Sequence, residues 1–304
     1  MGAFGEAQSA IDEGLSSTRI AVAGAALEQF AFVRGFVGLC DEGWRQGWHE
    51  RNGGNASYRL TEGDVDRARR CFDEQPGEWV DLGVRADSLA GAHFLVTASG
   101  SYMQNIARDP ARCIGIVELG PAGDAYRVVW GMRGGGRPTS EIAGHMLMHE
   151  ARMQASGGAS RVIYHAHPVP VIALSKMLPL EARAFTRALW RAMTECIMVF
   201  PEGLGVVGFE VPGSLELAHA SAREMRTCQA VVWAHHGLLS SGADFDDAFG
   251  RMHAIVKAAE IYLSARQAYG GDDFPNQVDD DDLRAIAKSL GLEVNESILG
   301  WPRG

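Results

Sequence analysis

The 304-residue sequence has little cysteine and no long run of basic residues. Its five cysteines are an odd number, are widely spaced and form no Cys-x-x-Cys pair, which argues against a disulfide framework and against a structural zinc knuckle. With 38 acidic and 28 basic side chains, the net charge of -10 disfavours nucleic-acid binding as a main activity. We therefore expect reduced thiols and a cytoplasmic location.

The sequence also lacks an uninterrupted apolar run that could cross a membrane. The most apolar segment, residues 20–40, is interrupted by Glu28, Gln29 and Arg34 and is interpreted as a helix with one buried face. Neither a P-loop lysine motif nor a Gly-x-Ser-x-Gly elbow is found in the sequence. Residues 203–208 spell Gly-x-Gly-x-x-Gly, but Pro212 follows where a nucleotide-binding helix should begin, so a dinucleotide site is disfavoured.

The apolar content of 46% is enough for one substantial core. Without an internal repeat or a clear linker, the chain is predicted to form a single domain over residues 23–304, preceded by a loosely held extension over residues 1–22. Apolar spacing predicts helices near residues 27–40, 141–155, 179–193, 214–227, 246–269 and 279–290. It predicts strands near residues 94–97, 114–118, 126–130, 162–164, 197–200 and 229–233.

Two histidines end the predicted strand at residues 162–164. His165 and His167 are two residues apart, so on extended chain both imidazoles point to the same side and can share one metal ion. A catalytic zinc site needs three protein ligands and an open position, and His236 is the best supplier of the third. The adjacent His235 is the alternative, because a shift of one residue changes the strand face. His145 and His149, four residues apart on a predicted helix with Glu141, form a weaker candidate pair, because such histidines often serve packing.

Three turns of small residues could present hydrogen-bond donors to an anion. The first, residues 52–55, has paired glycines; the second contains Ser99 and Gly100; the third contains Thr139 and Ser140 and enters the helix that follows. The positive end of a helix favours an anion, and Thr139 or Ser140 is the expected cap of this helix. The alternative is that these segments are ordinary turns, in which Ser and Asn are common.

Several of these local patterns together resemble one family, the zinc-dependent class II sugar-phosphate aldolases of the aldolase and adducin superfamily. The matching segments occur in the family's order from about residue 26 to 291: residues 47–55, 97–100, 138–141, 165–167, 185–190, 194–196, 199–205 and 236–237. The fold implied by the resemblance is α/β, a single domain of three α-β-α layers with a central, mainly antiparallel sheet.

The resemblance also implies roles for individual residues. His165, His167 and His236 would bind one Zn2+ per subunit, and Glu141 would be the catalytic acid-base group. Glu195 would reach into the site of a neighbouring subunit in a homotetramer. The phosphate and substrate cradle would consist of Asn52, Gly54, Asn55, Ser99, Gly100, Thr139 and Ser140.

The activity implied is cleavage of L-rhamnulose 1-phosphate to dihydroxyacetone phosphate and L-lactaldehyde through a metal-stabilised enediolate. The segments around Asn52, Phe185 and Val199 favour this substrate. A related aldolase for L-fuculose 1-phosphate, an L-ribulose-5-phosphate 4-epimerase or a sugar-phosphate dehydratase would use a similar site. A non-catalytic, adducin-like scaffold is the alternative of a different class. Glu141 could also be a carboxylate favoured by a helix start, and Glu195 a surface residue.

Overall fold

The computed structural model describes residues 27–272 and 274–300, and the extension predicted over residues 1–22 lies outside the described residues. Nine strands form one sheet: β1 (Asn55–Arg59), β2 (Val80–Asp81), β3 (His93–Thr97), β4 (Ile114–Leu119), β5 (Ala125–Gly131), β6 (Val162–Ala166), β7 (Gly205–Val207), β8 (Ala230–Trp233) and β9 (Gly237–Gly242). Their order is β2-β5-β4-β3-β1-β6-β9-β8-β7, and among the described strands only the pairing of β7 with β8 is parallel. The predicted mainly antiparallel sheet is therefore confirmed.

Helices cover both faces of this sheet. The described α-helices are α1 (Ala31–Arg45), α2 (Glu62–Ala68), α3 (Met103–Ile106), α4 (Pro110–Cys113), α5 (Ile142–Ala155), α6 (Val169–Leu174), α7 (Ala182–Ala192), α8 (Cys196–Val199), α9 (Leu215–Glu224), α10 (Phe245–Tyr269) and α11 (Asp280–Leu290). The larger core joins α1, α7 and α10 to one face, and two smaller cores join α5 and α9 to the other. The predicted three-layer α-β-α architecture is confirmed.

Strand β6 lies inside the sheet and carries different side chains on its two faces. Val162 and Tyr164 belong to the core on the α10 side, whereas Ile163 belongs to the core on the α5 side. Alternation along the strand therefore turns His165 toward the α5 side. His165 pairs with Asn55 of β1 on one side and with Leu239 of β9 on the other, so its backbone is fixed by two neighbours.

One predicted strand is wrong. Residues 197–200 were expected to be extended, but Cys196–Val199 forms the short helix α8, in which the amides of Val199 and Phe200 donate to the carbonyls of Glu195 and Cys196. An apolar run of four residues has no periodicity that separates a strand from a buried helical turn. The strand lies further on, at Gly205–Val207 inside the glycine-rich motif, and α9 begins only at Leu215, so no helix directly follows that motif.

Two features bear on the expectations from composition. All five cysteines are free and buried. No helix within the described parts of the chain combines the length and the apolar character needed to cross a bilayer.

Candidate functional site

Three histidines converge where β6 and the turn between β8 and β9 meet. His165 is the fourth residue of β6, His167 follows the end of that strand, and His236 lies in the turn. One ligand atom from each ring lies within 4.8 Å of the others. The Nε2 atoms of His165 and His167 are 3.1 Å apart, close to the separation of about 3.3 Å between two nitrogens bound to a tetrahedral zinc ion.

The outer ring nitrogens of two of these histidines have acceptors that fix the tautomer. Nδ1 of His165 lies 3.2 Å from the carbonyl oxygen of Leu238, and Nδ1 of His167 lies 2.7 Å from Oε1 of Glu50. Because these acceptors require a proton on Nδ1, the Nε2 lone pairs of both rings face each other. Two lone pairs so close together repel, and a cation between them would remove that repulsion. The donor set therefore fits a metal ion.

Burial keeps these rings in the form that binds metal. Removal from water lowers the pKa of His165 well below its ordinary value, and the neighbouring His167 and His236 lower it further. Burial and His167 lower the pKa of His236 to about 4. Both imidazoles are thus neutral near pH 7, and neutral imidazole nitrogen is a good ligand for zinc.

The backbone of the turn after β8 directs His236, and not the adjacent His235, toward the other two histidines. His235 has a left-handed backbone conformation with φ of 65°, is exposed, and shares hydrogen bonds with Oγ of Ser175 through its backbone N–H and its Nδ1. His236 consequently turns toward His165 and His167. Gly237 makes this approach possible, because a Cβ there would lie 2.4 Å from the carbonyl oxygen of Ala166 and 3.0 Å from His165.

A cavity of about 150 Å³ lies beside the three histidines. All three predicted donor turns open onto it, together with Glu141. Its lining comprises Asn52, Gly53, Gly54, Asn55, Thr97, Ala98, Ser99, Gly100, Thr139, Ser140, Glu141, His165, His167 and His236. The structure thus brings to one place every residue to which the family resemblance assigns metal or substrate binding, although these residues come from segments far apart in the sequence.

Glu141 lies at the start of α5 and its side chain faces the cavity. The helix begins at Ile142, and Glu141 itself occupies the capping position without a side-chain cap, so the expectation that Thr139 or Ser140 caps this helix is wrong. Thr139 Oγ1 instead accepts a bond of 3.3 Å from the backbone N–H of Glu141. Burial raises the pKa of the Glu141 carboxyl, although the hydrogen bond from Asn55 Nδ2 to Oε2, at 2.8 Å, acts in the opposite direction.

His49 is a residue of this site that the sequence interpretation missed. Its Nδ1 lies 3.0 Å from the carbonyl oxygen of Gly53, and its Nε2 lies 2.7 Å from the hydroxyl of Tyr164. Burial lowers the pKa of His49 to about 4, so the ring is neutral, donates to Gly53 and accepts from Tyr164. His49 thereby ties the turn at residues 52–55 to the strand that carries His165. The sequence did offer one indication of this role, because His49 lies only three residues before the predicted substrate-binding residue Asn52.

Two other sets of predicted residues lie outside this cavity. Glu195 is exposed, precedes α8, and accepts a hydrogen bond of 3.2 Å from Thr194. His145 and His149 are fully buried on α5 and both contact Oγ of Ser57, at 2.6 and 2.8 Å. They do not belong to the cluster of three histidines.

Comparison with known proteins gives consistent matches. The family model for the Class II Aldolase and Adducin N-terminal domain matches residues 34–263. A rhamnulose-1-phosphate aldolase from Yersinia pestis (strain Pestoides F) is 44% identical over 232 residues, which are 76% of this chain and 84% of the relative. A solved sugar-phosphate aldolase from Thermotoga maritima has a TM-score of 0.64 at 28% identity and covers 77% of this chain and 94% of its own. An L-fuculose 1-phosphate aldolase from Glaciozyma antarctica PI12 shares the fold, with a TM-score of 0.52 at 19% identity and 88% coverage of both chains.

Proposed function

The chain belongs to the class II aldolase and adducin family, and on that premise we propose that it is a zinc-dependent lyase. Its reaction is the cleavage of L-rhamnulose 1-phosphate to dihydroxyacetone phosphate and L-lactaldehyde. The substrate is taken from the rhamnulose-1-phosphate aldolases to which the chain is 44% identical over most of its length.

One observation carries this proposal. Three histidines suited to a metal ion and one carboxylate of raised pKa face the same small cavity, which is otherwise lined by hydroxyl groups, amides and glycines. A metal ion alone would fit many functions. A metal site beside a partly dry carboxylate and an anion-binding wall fits a reaction in which charge develops on a phosphorylated substrate.

His165, His167 and His236 would hold the metal, and three imidazoles leave an open position, as in other catalytic zinc sites. When bound, zinc supplies a Lewis acid that stabilises the negative charge developing on the substrate oxygens during cleavage. The neutral ligands leave the full positive charge of the ion available for this purpose. Glu50 orients His167 through the bond to Nδ1.

The proton transfer falls to Glu141. Cleavage breaks a carbon–carbon bond, and the hydroxyl that becomes the aldehyde oxygen gives its proton to solvent. The carbon that remains in dihydroxyacetone phosphate takes up one proton in exchange. Glu141 delivers that proton to carbon, and in the synthetic direction it removes it. A carboxyl whose pKa is raised by burial is suited to both roles near neutral pH.

The phosphate binds to the three donor turns that line the cavity. Ser99, Thr139 and Ser140 supply hydroxyl donors, and the start of α5 supplies the positive end of a helix dipole. Asn52, Gly54 and Gly100 complete this cradle, in which backbone and hydroxyl groups share the charge. A sibling enzyme of the family would share these parts and differ in the group that contacts the aldehyde portion.

The proposal also includes the way in which copies of the chain assemble. Glu195 is exposed and does not line the cavity of its own chain, as expected of a residue that acts in the site of a neighbouring copy. We propose a homotetramer in which Glu195 of one subunit completes the site of the next. Mixing a Glu195→Gln variant with a Glu141→Gln variant tests this, because hybrid assemblies would regain activity only if sites are shared. Failure of the mixture to regain activity would contradict shared sites.

The experiment that tests the function combines metal content with product release. Purified protein is assayed for zinc and for dihydroxyacetone phosphate release from L-rhamnulose 1-phosphate, with and without a chelator. About one zinc per chain and release that the chelator abolishes are expected. Zinc without release would contradict the substrate assignment and direct the assay to L-fuculose 1-phosphate and L-ribulose 5-phosphate. Absence of zinc would favour the non-catalytic scaffold.

A further inference from the structure

A chain of buried polar side chains leads away from Glu141 into the space between the sheet and α5. Asn55 Nδ2 lies 2.8 Å from Oε2 of Glu141, and Asn55 Oδ1 contacts Nε2 of His145. Nδ1 of His145 lies 2.6 Å from Oγ of Ser57, which lies 2.8 Å from Nε2 of His149. Ser57, His145 and His149 are fully buried and Asn55 is 7% exposed.

This chain follows from two periodicities that face each other. Asn55 and Ser57 are two residues apart on β1, so both side chains point to the α5 side of the sheet. Glu141, His145 and His149 are four residues apart, so they lie on one stripe along the start of α5 and its first turns. Each strand residue therefore bridges two successive residues of the helical stripe. The five side chains form one continuous path of hydrogen bonds.

When Glu141 is a carboxylate, each hydrogen bond along this path has a fixed donor and a fixed acceptor. A carboxylate can only accept, so Asn55 presents its amide N–H to Glu141 and its oxygen to His145. His145 must then carry its proton on Nε2 and accept at Nδ1 from the Ser57 hydroxyl. Ser57 in turn accepts from the N–H at Nε2 of His149. Both rings are neutral, because burial lowers the pKa of His145 to about 3 and that of His149 well below its ordinary value.

The far end of the path ends in an apolar environment. Nδ1 of His149 is buried and has no hydrogen-bond partner within the described residues, and the ring packs on Phe94 with centroids 5.0 Å apart. The opposite direction of donors would require a protonated Glu141, a flipped Asn55 amide and a proton on this partnerless Nδ1. An N–H group buried without an acceptor is disfavoured. The hydrogen bonds of Ser57, His145 and His149 therefore hold the Asn55 amide with its N–H toward Glu141 and its oxygen toward His145.

We propose that His145 and Ser57 are positioning residues that act through Asn55, holding its amide N–H toward Glu141 and thereby fixing the carboxylate in the conformer that faces the substrate carbon. This inference rests on the proposed aldolase function. A buried polar path of this kind is unfavourable for packing alone, because apolar side chains of similar volume would fill the same space without unpaired atoms. Its presence next to the reacting carboxylate is explained by the need to hold that group in place.

The test uses the partial reaction that isolates Glu141. In D2O, the zinc-loaded enzyme is incubated with dihydroxyacetone phosphate alone, and deuterium incorporation at carbon is followed, alongside kcat, KM, zinc content and unfolding temperature. His145→Leu and Ser57→Ala are expected to lower the incorporation rate and kcat by about 100-fold, with KM and zinc content close to wild type. His145→Gln, whose amide can accept from Ser57 and donate to Asn55, is expected to recover most of this loss.

Ser240→Ala is the matched control. Like Ser57, Ser240 is a fully buried strand serine whose hydroxyl contacts a helix, but it makes a single bond of 2.7 Å to the carbonyl oxygen of Ala248 and lies on the opposite face of the sheet. It should retain wild-type incorporation. Equal losses in Ser57→Ala and Ser240→Ala, or a His145→Gln variant as slow as His145→Leu, would overturn the proposal, as would a folded, zinc-loaded His145→Leu variant with unchanged incorporation.

A second measurement needs neither activity nor a variant. The ring 15N shifts of His145 and His149 in the wild-type protein at neutral pH should report neutral rings with the proton on Nε2 in both. A proton on Nδ1 of either ring would contradict the direction of the path. Wild-type protein that neither cleaves the sugar phosphate nor incorporates deuterium would overturn the aldolase function, and the 15N shifts would still decide the orientation.

Discussion

The carboxylate of Glu50 accepts a hydrogen bond of 2.7 Å from Nδ1 of His167. This contact joins the turn at residues 49–55 to the cluster of three histidines, although Glu50 itself is largely exposed. A carboxylate behind a metal-binding imidazole fixes its tautomer and makes its other nitrogen a better ligand.

Glu50→Ala should therefore weaken zinc binding by about 10-fold or more, because His167 loses the acceptor that orients its ring. The measurement is competition with a coloured chelator at fixed pH. Glu260→Ala, which removes an exposed carboxylate from α10, is the control and should bind zinc as wild type does. Equal affinities for the two variants would show that the contact has no influence on the metal.

The two adjacent histidines at the β8–β9 turn should behave differently. His236→Ala is expected to lose stoichiometric zinc and all measurable cleavage, because it leaves two ligands. His235→Ala should retain both, since that ring contacts Ser175 and faces away from the cluster. Metal analysis of the two purified variants distinguishes them, and retention of zinc by His236→Ala would require another third ligand.

Glu141→Gln should retain zinc and lose most turnover. The amide has the size of the carboxyl but cannot transfer a proton, and loss of general acid-base catalysis lowers rates by about 100-fold to 10,000-fold. Zinc content and kcat are measured on the same preparation. A variant with wild-type kcat would exclude Glu141 from the proton transfer.

Gly54 and Gly47 provide a matched pair for the donor turn, because both have φ of 76°. A Cβ at Gly54 would lie 2.4 Å from Nδ1 of His49, whereas a Cβ at Gly47 would have nothing within 4 Å. Both alanine variants carry the same backbone penalty of about 1 kcal/mol. Gly54→Ala should in addition displace the turn and raise the KM for the sugar phosphate. A similar KM in the two variants would indicate that His49 does not hold the turn.

Stability should depend on pH through the buried histidines of α5. The folded-state pKa of His145 is lowered by burial to about 3, so between pH 6.5 and about 3 the unfolded chain binds a proton that the folded chain does not. The free energy of unfolding therefore falls as the pH decreases through this window, by up to about 1.4 kcal/mol per pH unit for this group. Urea unfolding of metal-free wild type and His145→Gln between about pH 7 and about pH 5 should show a shallower slope for the variant. Parallel slopes would contradict neutral burial of His145.

The chemistry of single segments was predictable from the sequence, whereas contacts between distant segments were not. His165 and His167 could be paired because the period of two is a property of any strand. The choice between His235 and His236 depends on a left-handed residue at a turn, which composition does not reveal. The three-layer architecture came from the resemblance to the family and not from periodicity.

Other features of the structure could not be predicted from the sequence, for physical reasons. The path from Glu141 to His149 requires β1 to lie against α5, and these elements are separated by more than 80 residues, so no local pattern could indicate it. The segment Gly237–Gly242 forms β9 although its glycines and serines are typical of loops, because pairing with β6 and β8 outweighs local preference. Residues 197–200 are the opposite case, because this apolar run is typical of a strand but packs as a helical turn.

Strand β6 serves the site from both faces. His165 joins the cluster of three histidines on one face, and the Tyr164 hydroxyl contacts His49 on the other. An insertion or deletion of one residue within β6 would exchange the faces of every side chain beyond it and would remove both functions together. Among descendants of this chain, length changes should therefore accumulate in surface connections such as residues 208–214, whereas the distance between Val162 and His167 should stay constant.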